Sequence, residues 1–140
     1  MTPEQVVLVR GSWPALGANA AAFTAQFYAR LFEIDKGAAR LFAGVDMASQ
    51  QKKLAQALAV MVKALDDPDQ LLPAVAALGR RHAGYGVEDH HFNSVGEALI
   101  GALGDVGGDD FTPAAQRAWL EVYTLVASVM RRAVAATSAA

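Results

Sequence analysis

Apolar side chains recur at steps of three and four residues along most of the chain, the pattern of amphipathic helices. The pattern and a Thr-Pro start predict a first helix to about residue 17, with a kink or early stop at Pro14. A second helix is predicted over residues 19–34, and a short segment after it closes at Leu41 and Phe42. The first quarter of the chain is therefore expected to be helical.

The middle of the chain carries two more helices with one-sided apolar faces. Ser49 is the predicted cap of a helix running to about Leu65, in which Gln50 is the one amide at the head of an apolar stripe. An acidic, proline-containing break separates it from a helix over residues 71–83, in which Pro73 is tolerated only in the first turn. The inward face of this second helix is predicted to carry His82.

Two helices complete the pattern. Apolar positions from Phe92 to Leu103 predict a sixth helical element that ends at Gly104. Thr112 followed by Pro113 predicts the start of the last helix, whose apolar stripe continues for several turns. We find no internal repeat or linker, so residues 1–140 are expected to form a single domain.

Composition supports an all-α fold. Alanine, the strongest helix former, accounts for 30 of the 140 residues, whereas only two residues are isoleucine. The net charge of −2 makes a nucleic-acid binder or a membrane-surface protein a poor match. Zero cysteines exclude disulfides, Fe–S clusters and thiolate zinc sites within this sequence. With no signal-peptide pattern and no long apolar run, we expect a cytoplasmic protein.

Candidate chemistry rests on few residues, because the common phosphate-binding, zinc-protease and serine-hydrolase motifs are missing. His82 lies on an apolar helix face, where a lone histidine is more often a core residue bonded to a carbonyl than a ligand. His90 and His91, with Glu88 and Asp89, offer a surface metal site, although a solvated helix start is the simpler interpretation. These residues alone do not decide between the alternatives.

An ordered set of tracts along almost the whole chain resembles a globin. The tracts are Phe27-Tyr28-Ala29-Arg30-Leu31-Phe32, Gln50 to Leu54, Leu78-Gly79-Arg80-Arg81-His82, Tyr85-Gly86-Val87, Phe92 to Leu99, Phe111-Thr112-Pro113, and Ala118-Trp119 with Tyr123. The set is most similar to bacterial single-domain globins related to the neuroglobin and flavohemoglobin groups. The resemblance implies an all-α globin fold of seven or eight helices enclosing a heme.

The resemblance also assigns roles to individual residues. It implies that His82 is the proximal ligand of iron in heme b, an iron protoporphyrin IX held noncovalently because no CxxCH attachment motif exists. On the opposite face it implies that Tyr28 and Gln50 donate hydrogen bonds to dioxygen, favouring it over neutral carbon monoxide. The alternatives are a core tyrosine bonded to a carbonyl and an exposed first-turn glutamine.

Further positions match heme contacts of the family. Phe42 matches a phenylalanine that wedges the heme, and Lys53 a residue that pairs with a propionate, with core packing and a solvated lysine as the alternatives. Plain core packing is likewise the alternative for the other matching positions. Those positions are Leu54, Leu78, Val87, Phe92 and Val95.

Two departures bear on activity. Flavohemoglobins, which oxidise nitric oxide with dioxygen, link the proximal histidine to a tyrosine and a glutamate, whereas this sequence has Phe92 and Val134 at the aligned positions. We therefore expect His82 to donate to a backbone carbonyl, that of Leu78. Gas binding is the expected function, with dioxygen, nitric oxide and carbon monoxide as ligands. The alternatives are nitric oxide dioxygenation or weak peroxidase activity with an external reductase, gas or redox sensing, and a cofactor-free helical interaction module.

Overall fold

Seven α-helices and one short 3-10 helix make up a computed structural model that describes residues 2–139. The helices are α1 (Pro3–Ala18), α2 (Ala20–Ile34), α3 (Lys36–Leu41), α4 (Met47–Lys63), α5 (Pro68–Gly84), α6 (Asp89–Gly107) and α7 (Pro113–Ala139), with the 3-10 helix at Gly108–Asp110. No strand occurs within this part of the chain. The all-α prediction is thus confirmed.

Helix starts follow the capping signals, with one correction. Thr2 and Gln5 form the reciprocal capping box at the start of α1, and the Thr112 hydroxyl accepts from the Ala115 amide at the start of α7. Ser49 was the wrong cap for α4. Asp46 caps this helix instead by accepting from the Ala48 amide at 3.2 Å, so α4 starts at Met47 and takes that side chain onto the core.

Predicted breaks inside the helices are also corrected. α1 continues through Pro14 to Ala18, so the early stop does not occur. α5 starts at Pro68, which puts Pro73 in the second turn rather than the first. Pro73 has no N–H to donate to the Asp69 carbonyl one turn earlier. The helix tolerates this loss because both residues are exposed, so water can bond to the carbonyl.

The end of α6 also differs from the prediction. The helix runs through Gly104 to Gly107, because a glycine inside a helix costs only about 1 kcal/mol and does not stop it. The break comes at Gly108, whose φ of 60° lies in the left-handed region that glycine adopts without strain.

The helices pack in pairs around one apolar core. α2 packs on α6, and α1 and α5 both pack on α7. Phe23, Leu16, Leu103, Val9 and Val75 are the largest apolar side chains that are almost fully buried. No helix in the described residues is long and apolar enough to cross a membrane.

Two polar links fix the arrangement of these pairs. The Trp119 indole donates to the buried Ser12 hydroxyl at 2.7 Å and ties α7 to α1. Arg30 of α2 makes a bidentate ion pair with Asp105 of α6 at 2.7 and 2.8 Å. Because α2 is anchored in this way, its inner face has a defined position relative to α6.

Candidate functional site

His82 lies in the last turn of α5 with its ring partly buried. Its Nδ1 is 2.8 Å from the Leu78 carbonyl oxygen, one turn earlier in the same helix. A carbonyl can only accept, so in neutral His82 the proton is on Nδ1 and the lone pair is on Nε2. This contact confirms the predicted bond to Leu78 and leaves Nε2 as a nitrogen ligand for a metal.

The surroundings of His82 keep its ring neutral. Burial lowers the pKa of His82 below its ordinary value of 6.5, the bond to Leu78 opposes this shift, and the charge of Arg81 adds to it. Tyr85, for which the sequence indicated no role in the site, packs its ring against His82 with 5.4 Å between centroids. Its spacing of three residues from His82 is the signal that would have found this contact.

α5 is held on α7 by a close backbone approach at Gly79. A Cβ built on Gly79 would lie 2.9 Å from the Met130 Cα and carbonyl oxygen and from the Ala133 Cβ. Only glycine therefore fits without displacing one helix. Since His82 is three residues further along α5, this approach sets the position of the histidine.

Tyr28 and Gln50 come together from different helices. The Gln50 side-chain amide on α4 donates to the Tyr28 hydroxyl on α2 at 3.2 Å. Tyr28 is only 5% exposed, and its ring contacts Phe27, Phe32 and Phe42 with centroids 4.9 to 5.9 Å apart. The alternative of a tyrosine bonded to a backbone carbonyl is not what the structure has.

The Tyr28 hydroxyl retains its own proton for donation. Burial raises the pKa of Tyr28 above its ordinary value, and the bond from Gln50 opposes this shift. In that bond the Tyr28 oxygen is the acceptor, and no acceptor for its proton occurs among the described residues. The pair therefore presents a donor hydroxyl that stays protonated at neutral pH.

The helices that carry Gln50 and His82 pack on different neighbours, and the region between these two helices is termed the gap. α4 packs on α1 and α2 while α5 packs on α7, and within residues 2–139 these two consecutive helices make few close backbone approaches to each other. Five apolar side chains at positions that match heme contacts of the family are half-buried. These are Phe42, Leu54, Leu78, Val87 and Val95.

The chemistry of these residues fits a flat apolar cofactor with one metal. A porphyrin plate needs apolar walls that are not already closed on each other, and its iron needs one strong nitrogen donor such as the Nε2 of His82. Lys53 is exposed on α4 and free to meet a peripheral carboxylate. Phe92, the remaining apolar position that matches a heme contact, is buried on α6, whereas the other five are half-buried.

The two residues at the positions of the proximal tyrosine and glutamate, Phe92 and Val134, have apolar side chains that cannot accept a proton from His82. The Phe92 carbonyl accepts a hydrogen bond from the Tyr123 hydroxyl, and Val134 is half-buried on α7. In the part of the chain that the structure describes, no carboxylate hydrogen-bonds His82. The histidine therefore has a carbonyl, not a carboxylate, as its partner.

The second group of histidines lies at the start of α6. Asp89, which the sequence grouped with His90 and His91, instead contacts Arg131 at 3.1 Å. Asp35, from the junction of α2 and α3, takes its place beside the two rings. Sequence reasoning missed Asp35 because it lies more than fifty residues away in the chain.

Comparison with known proteins places these features in context. The globin family model matches residues 25–130. The chain is 33% identical to neuroglobin of Tetraodon nigroviridis over 89% of its own length and 87% of that protein. It is also 33% identical to flavohemoprotein of Rhodopirellula baltica. This match covers 92% of the present chain but only 32% of that longer protein.

A solved structure has the same fold. It is an engineered carbene transferase derived from a Rhodothermus marinus protein that is provisionally named a nitric oxide dioxygenase. The TM-score is 0.89 at 32% identity, and the match covers 99% of this chain and 96% of that one.

Proposed function

Because the chain belongs to the globin family, we propose that it binds one heme b noncovalently and holds diatomic gases, dioxygen above all, beside Tyr28 and Gln50. The observation that carries this proposal is the arrangement of three polar side chains, one nitrogen ligand on α5 and two joined hydrogen-bonding groups on α2 and α4. His82 offers a free nitrogen lone pair, and Tyr28 and Gln50 form a joined polar pair. Nitric oxide and carbon monoxide are the further ligands proposed.

Most of the cofactor's binding energy is assigned to apolar contact. A bound heme would supply an iron that binds diatomic gases, and the Nε2 of His82 would hold that iron. Phe42, Leu54 and Val95, with the other half-buried residues around the gap, bury their exposed surface against the plate. An exposed Lys53–propionate pair adds only about 0–1 kcal/mol. The absence of cysteine in the sequence supports noncovalent attachment.

Gas selectivity is assigned to the joined pair. One N–H of the Gln50 amide is used toward the Tyr28 oxygen, so the pair has the second amide N–H and the Tyr28 proton left to donate. Dioxygen gains from these donors because it develops partial negative charge, whereas carbon monoxide gains little. Burial of Tyr28 strengthens this discrimination, since hydrogen bonds are stronger away from water.

Nitric oxide dioxygenation with an external electron donor is the second candidate. It is favoured by the flavohemoprotein relatives and by the name of the Rhodothermus marinus parent protein. The contact between His82 and the Leu78 carbonyl favours gas holding instead, because a carbonyl increases the electron donation of the ring less than a carboxylate does. No observation specifically favours a sensor.

Absorption spectroscopy of the purified protein tests the proposal. We expect a heme spectrum that responds to reduction and to gases, and we expect His82→Ala to abolish stable heme coordination. Arg80→Ala, which removes an exposed neighbour on the same helix, is the matched control and should keep the parent spectrum. An unchanged spectrum and heme content in His82→Ala would show that another residue is the ligand. Turnover of nitric oxide with a competent reductase separates the two candidate functions.

A further inference from the structure

Three metal-ligating side chains meet on the surface between two helix junctions. Asp35 lies between α2 and α3, and His90 and His91 lie in the first turn of α6. One donor atom from each residue lies within 4.8 Å of the other two. Two imidazoles with one carboxylate are a ligand set that zinc and neighbouring divalent ions accept.

Asp35 is fixed in place by two bonds that leave it directed at the histidines. Its Oδ1 accepts from the Ala38 amide at 3.2 Å, where it caps α3. Its Oδ2 accepts from the Ser94 hydroxyl at 2.9 Å, and the side chain is only 12% exposed. The carboxylate oxygen facing the rings is therefore oriented before any ion arrives.

His90 presents the correct nitrogen to that oxygen. Its Nε2 is 3.5 Å from the Asp35 Oδ2, close to the separation of ~3.3 Å between two ligand atoms of a tetrahedral zinc ion with bonds of about 2.0 Å. Its Nδ1 is 3.5 Å from a Glu88 carboxylate oxygen. With the proton on Nδ1, toward Glu88, the lone pair on Nε2 would be free for an ion, the arrangement common in metal-binding histidines. The ring is 57% exposed, which gives an ion access from solvent.

Metal binding by His91 would break an existing hydrogen bond. Its Nδ1 accepts from the Glu88 backbone amide at 2.8 Å, and the residue is only 6% exposed. A metal on Nδ1 would displace this bond, and a metal on Nε2 would require a proton on Nδ1, which could then no longer accept. Either way, ligation by His91 breaks its bond to the α6 start.

We propose that Asp35, His90 and His91 bind one divalent zinc-class ion, with Asp35 and His90 as the strong ligands, His91 as the weaker one and water in the remaining position. The ion would join the α2–α3 junction to the start of α6. This site shares no residue with the gap between α4 and α5, so it stands whether or not the chain binds heme.

Calorimetric titration of the purified, chelator-treated protein with zinc chloride tests the site. We expect one zinc ion per chain and a higher melting temperature at saturating zinc. His90→Asn and Asp35→Asn should each weaken zinc binding at least tenfold, the smallest effect usual for perturbing a metal site, and His91→Asn should weaken it less. Asp46→Asn is the matched control, because it also alters a carboxylate helix cap but is not one of the three clustered side chains.

Zinc X-ray absorption provides a readout of the ligands themselves and should show imidazole coordination that diminishes in His90→Asn. Failure of the parent to bind zinc would overturn the proposal. So would equal affinity in the parent, His90→Asn and Asp35→Asn, since the group would then be only a hydrogen-bonded helix start. Circular dichroism of each variant confirms that a loss of binding does not arise from unfolding.

Discussion

The two sides of the gap between α4 and α5 are built in different ways. On one side, His82 is oriented by a carbonyl of its own helix, at 2.8 Å and four residues away. On the other, Tyr28 and Gln50 are twenty-two residues apart and meet only because α2 and α4 pack together. The histidine side is thus mainly a local structure, and the Tyr28–Gln50 side is a tertiary one.

The two sides therefore depend on different contacts. The ring of His82 keeps its orientation as long as α5 is helical, although its location depends on the contact of Gly79 with α7. The Tyr28–Gln50 bond depends on the relative placement of two helices and on the aromatic cluster around Tyr28. Changes in the core should therefore alter gas selectivity before they alter coordination by the histidine.

The largest effect is expected from breaking the close approach of α5 to α7 at Gly79, a tertiary contact of the histidine side. Gly79→Ala puts a methyl group against the Met130 backbone, and such overpacking costs about 1–3 kcal/mol, more than the ~1 kcal/mol gained in helix propensity. We expect a lower free energy of unfolding in urea and weaker retention of heme.

Gly11→Ala is the control for this change, because no atom lies within 4 Å of the added Cβ in α1. It should leave stability unchanged or raise it by up to ~1 kcal/mol. Equal stability of the parent and Gly79→Ala would contradict the close approach of α5 to α7.

The next effect comes from breaking the Tyr28–Gln50 side. Tyr28→Phe and Gln50→Leu should each speed dioxygen dissociation several-fold to roughly tenfold, as expected for a net hydrogen bond of about 0.5–1.5 kcal/mol. Stopped-flow dissociation measures this. Because Gln50 donates to Tyr28, the double variant should lose less than the product of the two single effects. Unchanged rates in both single variants would rule out the donor roles.

A third test gives the histidine side the carboxylate that it lacks. In Phe92→Tyr with Val134→Glu, we expect His82 to gain a stronger partner than the Leu78 carbonyl, and peroxide turnover to rise because the axial ligand donates more charge. The iron–histidine stretching frequency and peroxide turnover of the heme-loaded protein measure both changes. A parent that already has a high frequency and rapid turnover would contradict this account.

The smallest effect concerns ionisation of Tyr28. Because burial raises the pKa of Tyr28 above its ordinary value of 10.0, its folded form keeps a proton that the unfolded form loses at lower pH. Its contribution to stability is therefore complete below pH 10 and lost as the pH rises through the folded pKa. The difference in tyrosinate absorbance between the parent and Tyr28→Phe should reach less than half of its final value at pH 10. A difference that reaches half of its final value at lower pH would argue against a buried, protonated donor.

The sequence by itself determined what depends on neighbours along the chain. Helix periodicity placed six of the seven helices, and the Thr-Pro pairs at Thr2 and Thr112 marked true helix starts, because the capping bonds there span only three residues. The bond from His82 to Leu78 was predicted for the same reason. Even local signals failed where two were equally good, since Asp46 and Ser49 can both cap a helix and only Asp46 does.

Tertiary structure decided what the chain alone leaves open. Whether Tyr28 meets Gln50 depends on how α2 packs on α4, and whether Asp35 meets His90 depends on how the α2–α3 junction lies beside α6. The need for glycine at position 79 is also a tertiary feature, because it follows from the close packing of the Met130 backbone against α5. Sequence spacing fixes contacts within a turn of helix, but contacts between helices follow from burying all apolar faces at once.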